Sequence, residues 1–155
     1  MGKLCKTQDT YSLLISSKQI YNDLLKVGLT PNKSFTCVFP TLNSALNPHF
    51  MRGYFDGDGS ISLSFQKSNL YAEICIVGST QFCKGSQNIF NVLDIKSKIS
   101  HDKRVKAGID SLRIRDIKSI LRFCKYIYHE STIHLERKHQ KFKCFLKQRS
   151  YVCPL

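Results

Sequence analysis

Acidic residues are scarce in this 155-residue chain: 11 Asp and Glu stand against 24 Lys and Arg, a formal net charge of +13. That imbalance points to a polyanion, most often nucleic acid, with a membrane surface as the other option. Long apolar runs are missing too. No stretch approaches the roughly 20 residues of a spanning helix, so no membrane partner is expected. Met1-Gly-Lys-Leu-Cys5 has no apolar segment behind it, so a secretory signal is not expected. The seven cysteines at 5, 37, 75, 83, 124, 144 and 153 include no Cys-x-x-Cys pair, and no Cys/His set has zinc spacing. An odd count without a secretory signal favours reduced structural thiols in an intracellular setting: the cytoplasm of a bacterium or phage host, or an organelle. The five histidines (49, 101, 129, 134 and 139) are scattered. His134 and His139 are five apart, which does not place two ligands on one helix face. All five read as ordinary surface or core residues.

The length suffices for one domain with a real core. Charge is unevenly spread: residues 1–46 hold five basic and two acidic residues, residues 47–100 five and four, and residues 101–155 fourteen and five. An acidic centre followed by a basic third fits a cation site beside a phosphate-binding surface. The bland alternative for residues 138–150 is a solvated basic tail.

The most informative stretch is Asn47-Pro-His-Phe-Met-Arg-Gly-Tyr-Phe-Asp-Gly-Asp-Gly-Ser-Ile61. It reads as a helix with Asn47 at the N-cap and Pro48 in the first turn. Phe50, Gly53, Tyr54 and Gly57 share one face, at spacings i, i+3, i+4 and i+7. Two glycines there lower helix stability by roughly 1 kcal/mol each relative to alanine, which implies close approach by another backbone. Met51 and Phe55 lie on an adjacent face suited to the chain's own core. Asp56 and Asp58 gather at the helix C-terminus, where the dipole disfavours anions, and so point to a bound cation. A plain Asp-Gly turn is the simplest alternative. A calcium loop counted from Asp56 fails, because its sixth and twelfth positions hold Ile61 and Lys67 rather than Gly and Glu.

Met51-Arg-Gly-Tyr-Phe-Asp-Gly-Asp-Gly59 resembles the signature motif of the LAGLIDADG homing endonucleases. The resemblance covers roughly residues 47–147, one repeat of that family. It implies an α+β fold, an αββαββα unit with an antiparallel DNA-binding sheet. It further implies Mg²⁺-dependent cleavage of double-stranded DNA and two such units per active enzyme. Carried onto this chain, Asp58 binds the metal, helped by the Gly57 carbonyl, and Asp56 supports the helix end. Phe50, Gly53, Tyr54 and Gly57 form the helix–helix interface, with a second copy or with a partner carrying the missing motif. Leu135-Glu-Arg-Lys138 resembles a basic stretch whose lysine reaches the active site. Lys138 is the catalytic candidate, and Arg137 the near alternative and otherwise a DNA contact. A polar side chain that the family often carries near the metal falls close to Gly78 here, flanked by Ser79 and Thr80.

The remaining pattern is consistent with such a unit. Ile61, Leu63 and Phe65 alternate with Ser62, Ser64 and Gln66, a period of two. Residues 72–79 continue as a second strand with Ile74 and Ile76 inward. Thr80 to about Leu93 reads as a helix weakened by Gly85 and Ser86. Residues 97–104 and 109–115 make a second strand pair with Leu112 and Ile114 inward. Asp116 caps a helix from Ile117 to about Tyr128, and another runs from about Ile133 to Lys147. The polar strand face then holds Ser62, Ser64, Gln66, Lys67, Asn69, Lys103, Arg104, Lys106, Arg113 and Arg115. A twisted antiparallel ribbon fits the major groove, where arginine and glutamine read base edges. An ordinary wet sheet face is the alternative.

Upstream, Tyr11–Ile15 followed by Ser17–Leu25 reads as strand, cap and helix, and 110–121 repeats that layout about a hundred residues later. Residues 1–46 are expected to be a partial N-terminal repeat and linker, with 35–39 a short strand or linker, and 47–150 the complete domain. The expected function is sequence-specific, metal-dependent DNA cleavage. The competing expectations are a non-cleaving binder, such as an intron maturase or regulator on the same fold, and an inactive fragment of a two-motif enzyme.

Overall fold

The computed structural model describes residues 3–7, 10–26, 28–31, 33–66, 69–101 and 108–148. The chain divides into two compact units, residues 1–33 and 34–155. In the first, β1 (Lys3–Thr7) pairs antiparallel with β2 (Thr10–Leu14), Lys3 opposite Leu14 and Thr7 opposite Thr10. Helix α1 (Lys18–Lys26) follows, its start held by Ser17 Oγ, which accepts from the Ile20 N–H. The strand β1 had no clear sequence signal, since a hairpin partner rather than its own alternation defines it.

In the second unit a 3-10 turn (Ser44–Leu46) runs directly into α2 (Asn47–Asp58). This moves the expected N-cap. Leu46 occupies that position without a side-chain cap, and Asn47 is already helical, its Oδ1 buried without a partner among the described residues. Asn43 instead caps the 3-10 turn, accepting from the Ala45 N–H. The chain continues through β3 (Gly59–Gln66), β4 (Asn69–Ser79), α3 (Thr80–Val92), β5 (Lys98–Ser100), β6 (Ile109–Ile114), α4 (Ile117–Tyr128) and α5 (Glu136–Gln148). This is the expected αββαββα order with a further helix. The sheet is antiparallel in the order β3-β4-β6-β5.

One sheet face carries Ile61, Leu70, Ala72, Ile74, Ile76, Leu112 and Ile114, all buried against the helices. Met51 and Phe55 of α2 meet them fully buried, as their helix face requires. Phe123 of α4 and Phe142 of α5 close on Phe55, with ring centroids 5.3 and 5.9 Å away. Phe65 departs from its alternation and is 66% exposed near the end of the edge strand β3, although Leu70 opposite it is buried. Helix α3 begins where expected, with Ser79 Oγ accepting from the Phe82 N–H. Gly85 has a packing reason: a Cβ there would lie 2.6 Å from the Phe39 Cβ. Asp116 caps α4 by accepting from the Ser119 N–H. Helix α5 starts three residues later than expected, since 131–135 form a turn whose Leu135 N–H is bound elsewhere.

Candidate metal and DNA-binding site

Two carboxylates at the end of α2 have opposite surroundings. Asp56 is half-buried and committed: Oδ1 accepts from the Tyr128 hydroxyl at 3.2 Å, and Oδ2 from the Leu135 backbone N–H at 2.9 Å. Burial, with the Asp56 charge adding, pushes the Tyr128 phenol well above its usual value, so it stays a donor. Asp58 is exposed and has no hydrogen-bond partner among the described residues. It stands at the last helical position with Gly57, also exposed, beside it.

Lys138 sits 3% exposed beneath this helix end. Its Nζ donates to the Phe55 carbonyl at 2.6 Å and the Asp56 carbonyl at 2.9 Å. A cation thus adds a charge-assisted donor at the helix end, where the Phe55 carbonyl also accepts from the Gly59 N–H, and offsets the negative end of its dipole. Burial lowers the Lys138 pKa, Arg137 adds to that, and Asp56 and Asp58 oppose it. Lys141, one turn on, donates to the Ile61 carbonyl at 3.1 Å, tying α5 to β3. Arg137 points outward and is exposed.

The four residues expected at a helix–helix interface divide. Gly53 and Gly57 are exposed, and a Cβ at either would meet nothing within 4 Å. Phe50 and Tyr54 turn instead to an aromatic cluster of their own chain. Tyr54 stacks on Phe82 at 4.0 Å and donates its hydroxyl to the Val77 carbonyl at 2.9 Å, while Phe50 meets Phe39 edge-on at 5.2 Å. The rows 50/54 and 53/57 are neighbours on the helix, and Phe82 claims the first. Burial pushes the Tyr54 phenol up, with the Cys37 and Asp58 charges adding. The same packing explains Gly78, where a Cβ would lie 2.8 Å from both the Tyr54 hydroxyl and the Phe82 ring.

On the outer sheet face Ser62, Ser64, Gln66 and Asn69 are exposed, with Ser62 opposite Glu73 and Gln66 opposite Asn69. Arg113 and Arg115 also reach this face, but both are held by Glu73, one carboxylate oxygen each. Burial pushes the Glu73 carboxyl up; the hydrogen bonds and charges of Arg115 and Arg113 outweigh it and hold the group below its ordinary range. Sequence alone gave no sign of this clamp, because Glu73 meets the arginines only through the β4–β6 register. Lys67, Lys103, Arg104 and Lys106 lie outside the described residues. Burial pushes the Cys83 thiol up to about 11, so it stays protonated and structural. Among the described residues no helix is long and apolar enough to cross a membrane.

Three comparisons bear on this arrangement. Curated proteins give no match. Among solved structures, the meganuclease I-SmaMI bound to uncleavable DNA aligns with a TM-score of 0.55 at 12% identity, over 97% of this chain and 72% of that one. An archaeal intron-encoded homing endonuclease complexed with DNA aligns at 0.51 and 14% identity, over 68% and 67%. The LAGLIDADG meganuclease I-AabMI bound to uncleaved DNA aligns at 0.50 and 19% identity, over 66% of this chain but only 36% of that one, so this chain spans about a third of its length. These likenesses concern fold. The description of the LAGLIDADG-like domain matches residues 47–128, more than half of the sequence and the whole stretch from the acidic helix to Tyr128. With that match laid over the αββαββα order and the Asp58 helix end, the chain belongs to the LAGLIDADG homing endonuclease family.

Proposed function

We propose that this chain is a sequence-specific DNA endonuclease of the homing type, hydrolysing phosphodiesters with Mg²⁺ to make double-strand breaks. The observation that carries the reading is the division of labour at the end of α2. Asp56 is spent on Tyr128 and Leu135, whereas Asp58 is open to solvent beside the Gly57 carbonyl. The donor set fits the ion. Mg²⁺ favours oxygen ligands and keeps several waters, so one or two carboxylates plus phosphate oxygens suffice. When bound, the ion supplies an activated water and charge stabilisation at the leaving oxygen.

The chain's own residues do the rest. Asp58 and the Gly57 carbonyl hold the ion at the helix end. Lys138 fixes that end by binding its carbonyls, and its charge lies close to the reacting phosphate. The exposed Ser62, Ser64, Gln66 and Asn69 side chains lie on the ribbon that enters the groove. The basic C-terminal third supplies phosphate contacts. Two Asp58 sites are needed for two strands, which implies a twofold dimer or a partner bearing a second acidic helix.

The test is cleavage of a randomised duplex library in Mg²⁺ by the wild type and by Asp58→Asn. The wild type should cut and select sequences. The variant should not cut, yet retain affinity within about tenfold, since many Lys and Arg side chains supply binding. Full cleavage by the variant would remove Asp58 from the site. Selective binding by a wild type that never cuts would leave the non-cleaving binder.

A further inference from the structure

The turn between α4 and α5 brings together a second set of ligand-type side chains, away from Asp58. One ring nitrogen each of His134 and His139 and a carboxylate oxygen of Glu136 all lie within 4.8 Å of one another. The five-residue spacing of the histidines hides this, because His134 precedes the helix and the turn folds its ring back over the first turn of α5. Their ring centroids are 4.2 Å apart. His139 is 6% exposed, and its Nδ1 is buried without a partner among the described residues. Buried polar atoms are rarely left unsatisfied, so this nitrogen is free to take a ligand. His134 is already oriented: its Nε2 meets Glu136 Oε2 at 3.2 Å, and its Nδ1 meets Ser131 Oγ at 3.3 Å.

We propose that His134, Glu136 and His139 form a binding site for a divalent transition metal of the zinc class, separate from the Mg²⁺ site. Two imidazoles and one carboxylate are a borderline ligand set that suits Zn²⁺ and its neighbours and discriminates against Mg²⁺. Tetrahedral bonds of about 2.0–2.1 Å place ligand atoms about 3.3 Å apart, so modest side-chain rotation closes the observed cluster. The ion would take the place between His134 Nε2 and Glu136, with the ring hydrogen on Nδ1 donating to Ser131 Oγ, and water would complete the fourth position. Ser131 would remain as the outer partner that fixes the His134 ring.

The location gives the ion a role. Leu135, between the first two ligands, donates its N–H to Asp56, and Lys138, next to His139, holds the α2 carbonyls. Tyr128, the other Asp56 partner, packs its ring 4.7 Å from His139. A metal here would lock the turn that clamps the acidic helix end, without itself touching the scissile phosphate.

The experiment uses the full chain, stripped with chelator and kept reduced, and titrated with Co²⁺ and Zn²⁺. The expected result is one ion per chain, visible d–d bands of four-coordinate Co²⁺, and no thiolate charge-transfer band from the cysteines. Zn²⁺ should displace Co²⁺, raise the melting temperature, and resist a large excess of Mg²⁺. His134→Ala, at a side chain 21% exposed, should weaken binding by at least about tenfold. If that variant fails to fold, the ring-nitrogen NMR shifts of wild-type His134 and His139 should move on adding Zn²⁺. Unchanged affinity in the folded variant, unmoved ring shifts, or a thiolate band would each overturn the site.

Discussion

Asp56 and Asp58 are two residues apart and identical in chemistry, and their surroundings make them different groups. Truncating Asp56 to alanine strands the Leu135 N–H and the Tyr128 hydroxyl. It should cost about 1–3 kcal/mol in urea denaturation. Asp58→Asn should do the reverse. It removes an unpartnered anion from the negative end of a helix, so stability should hold or rise by about 0.3–1 kcal/mol while cleavage is lost. A drop in stability comparable to Asp56→Ala would mean that Asp58 is structural. Lys138 belongs with Asp56. Lys138→Met keeps the buried stem but removes the ammonium donated to the Phe55 and Asp56 carbonyls, and the denaturation midpoint should fall by an amount equivalent to about 1–3 kcal/mol. Unchanged stability would show that the ammonium is not what holds the helix end.

At the scale of elements, the outer sheet face is where sequence reading and structure part company. Its alternation was legible: Ile61, Ile74, Ile76, Leu112 and Ile114 point inward as their period of two requires. So were α4, with its Asp116 cap, and the Met51/Phe55 face of α2. What could not be read is set by register and by turns. Glu73 is forty residues from Arg113, and only the β4–β6 pairing joins them. His134 and His139 look misaligned until the helix start is known, and the burial of Tyr54 depends on Phe82 arriving from α3. The clamp makes a prediction of its own. Glu73 carries a negative charge on a face proposed to meet DNA, and it occupies both arginines. Glu73→Gln should tighten DNA binding and steepen the salt dependence by about one to two contacts' worth, near 0.9 each in slope. The carboxyl is held below its ordinary value in the folded state, so its stabilisation is present at neutral pH. It disappears as pH falls below the usual glutamate range of about 4.3 and through the folded value. Wild type should therefore lose its stability advantage over the glutamine variant in that acid window. Parallel titration curves would show that the ion pair contributes nothing.

Across the whole molecule, the decisive feature is an acidic helix with one open stripe. Gly53 and Gly57 have empty space above them, while every bulky residue of α2 is engaged within its own chain. A helix that accepts two glycines without an internal need for them gives up stability for something outside itself. The proposed reason is a second acidic helix packed along that stripe, setting two Asp58 carboxylates against the two strands. Gly53→Leu separates this account from a purely internal one. Within a single chain a Cβ at this position meets nothing within 4 Å, and replacing glycine in a helix should stabilise it by roughly 0.5–1 kcal/mol. At a close helix–helix contact the same leucine forces the backbones apart. The variant should therefore melt higher as a monomer, fail to dimerise on DNA in sedimentation, and lose conversion of supercoiled plasmid to linear product. A Gly53→Leu protein that still dimerises and linearises plasmid would show that the open stripe of α2 is not where two active sites meet.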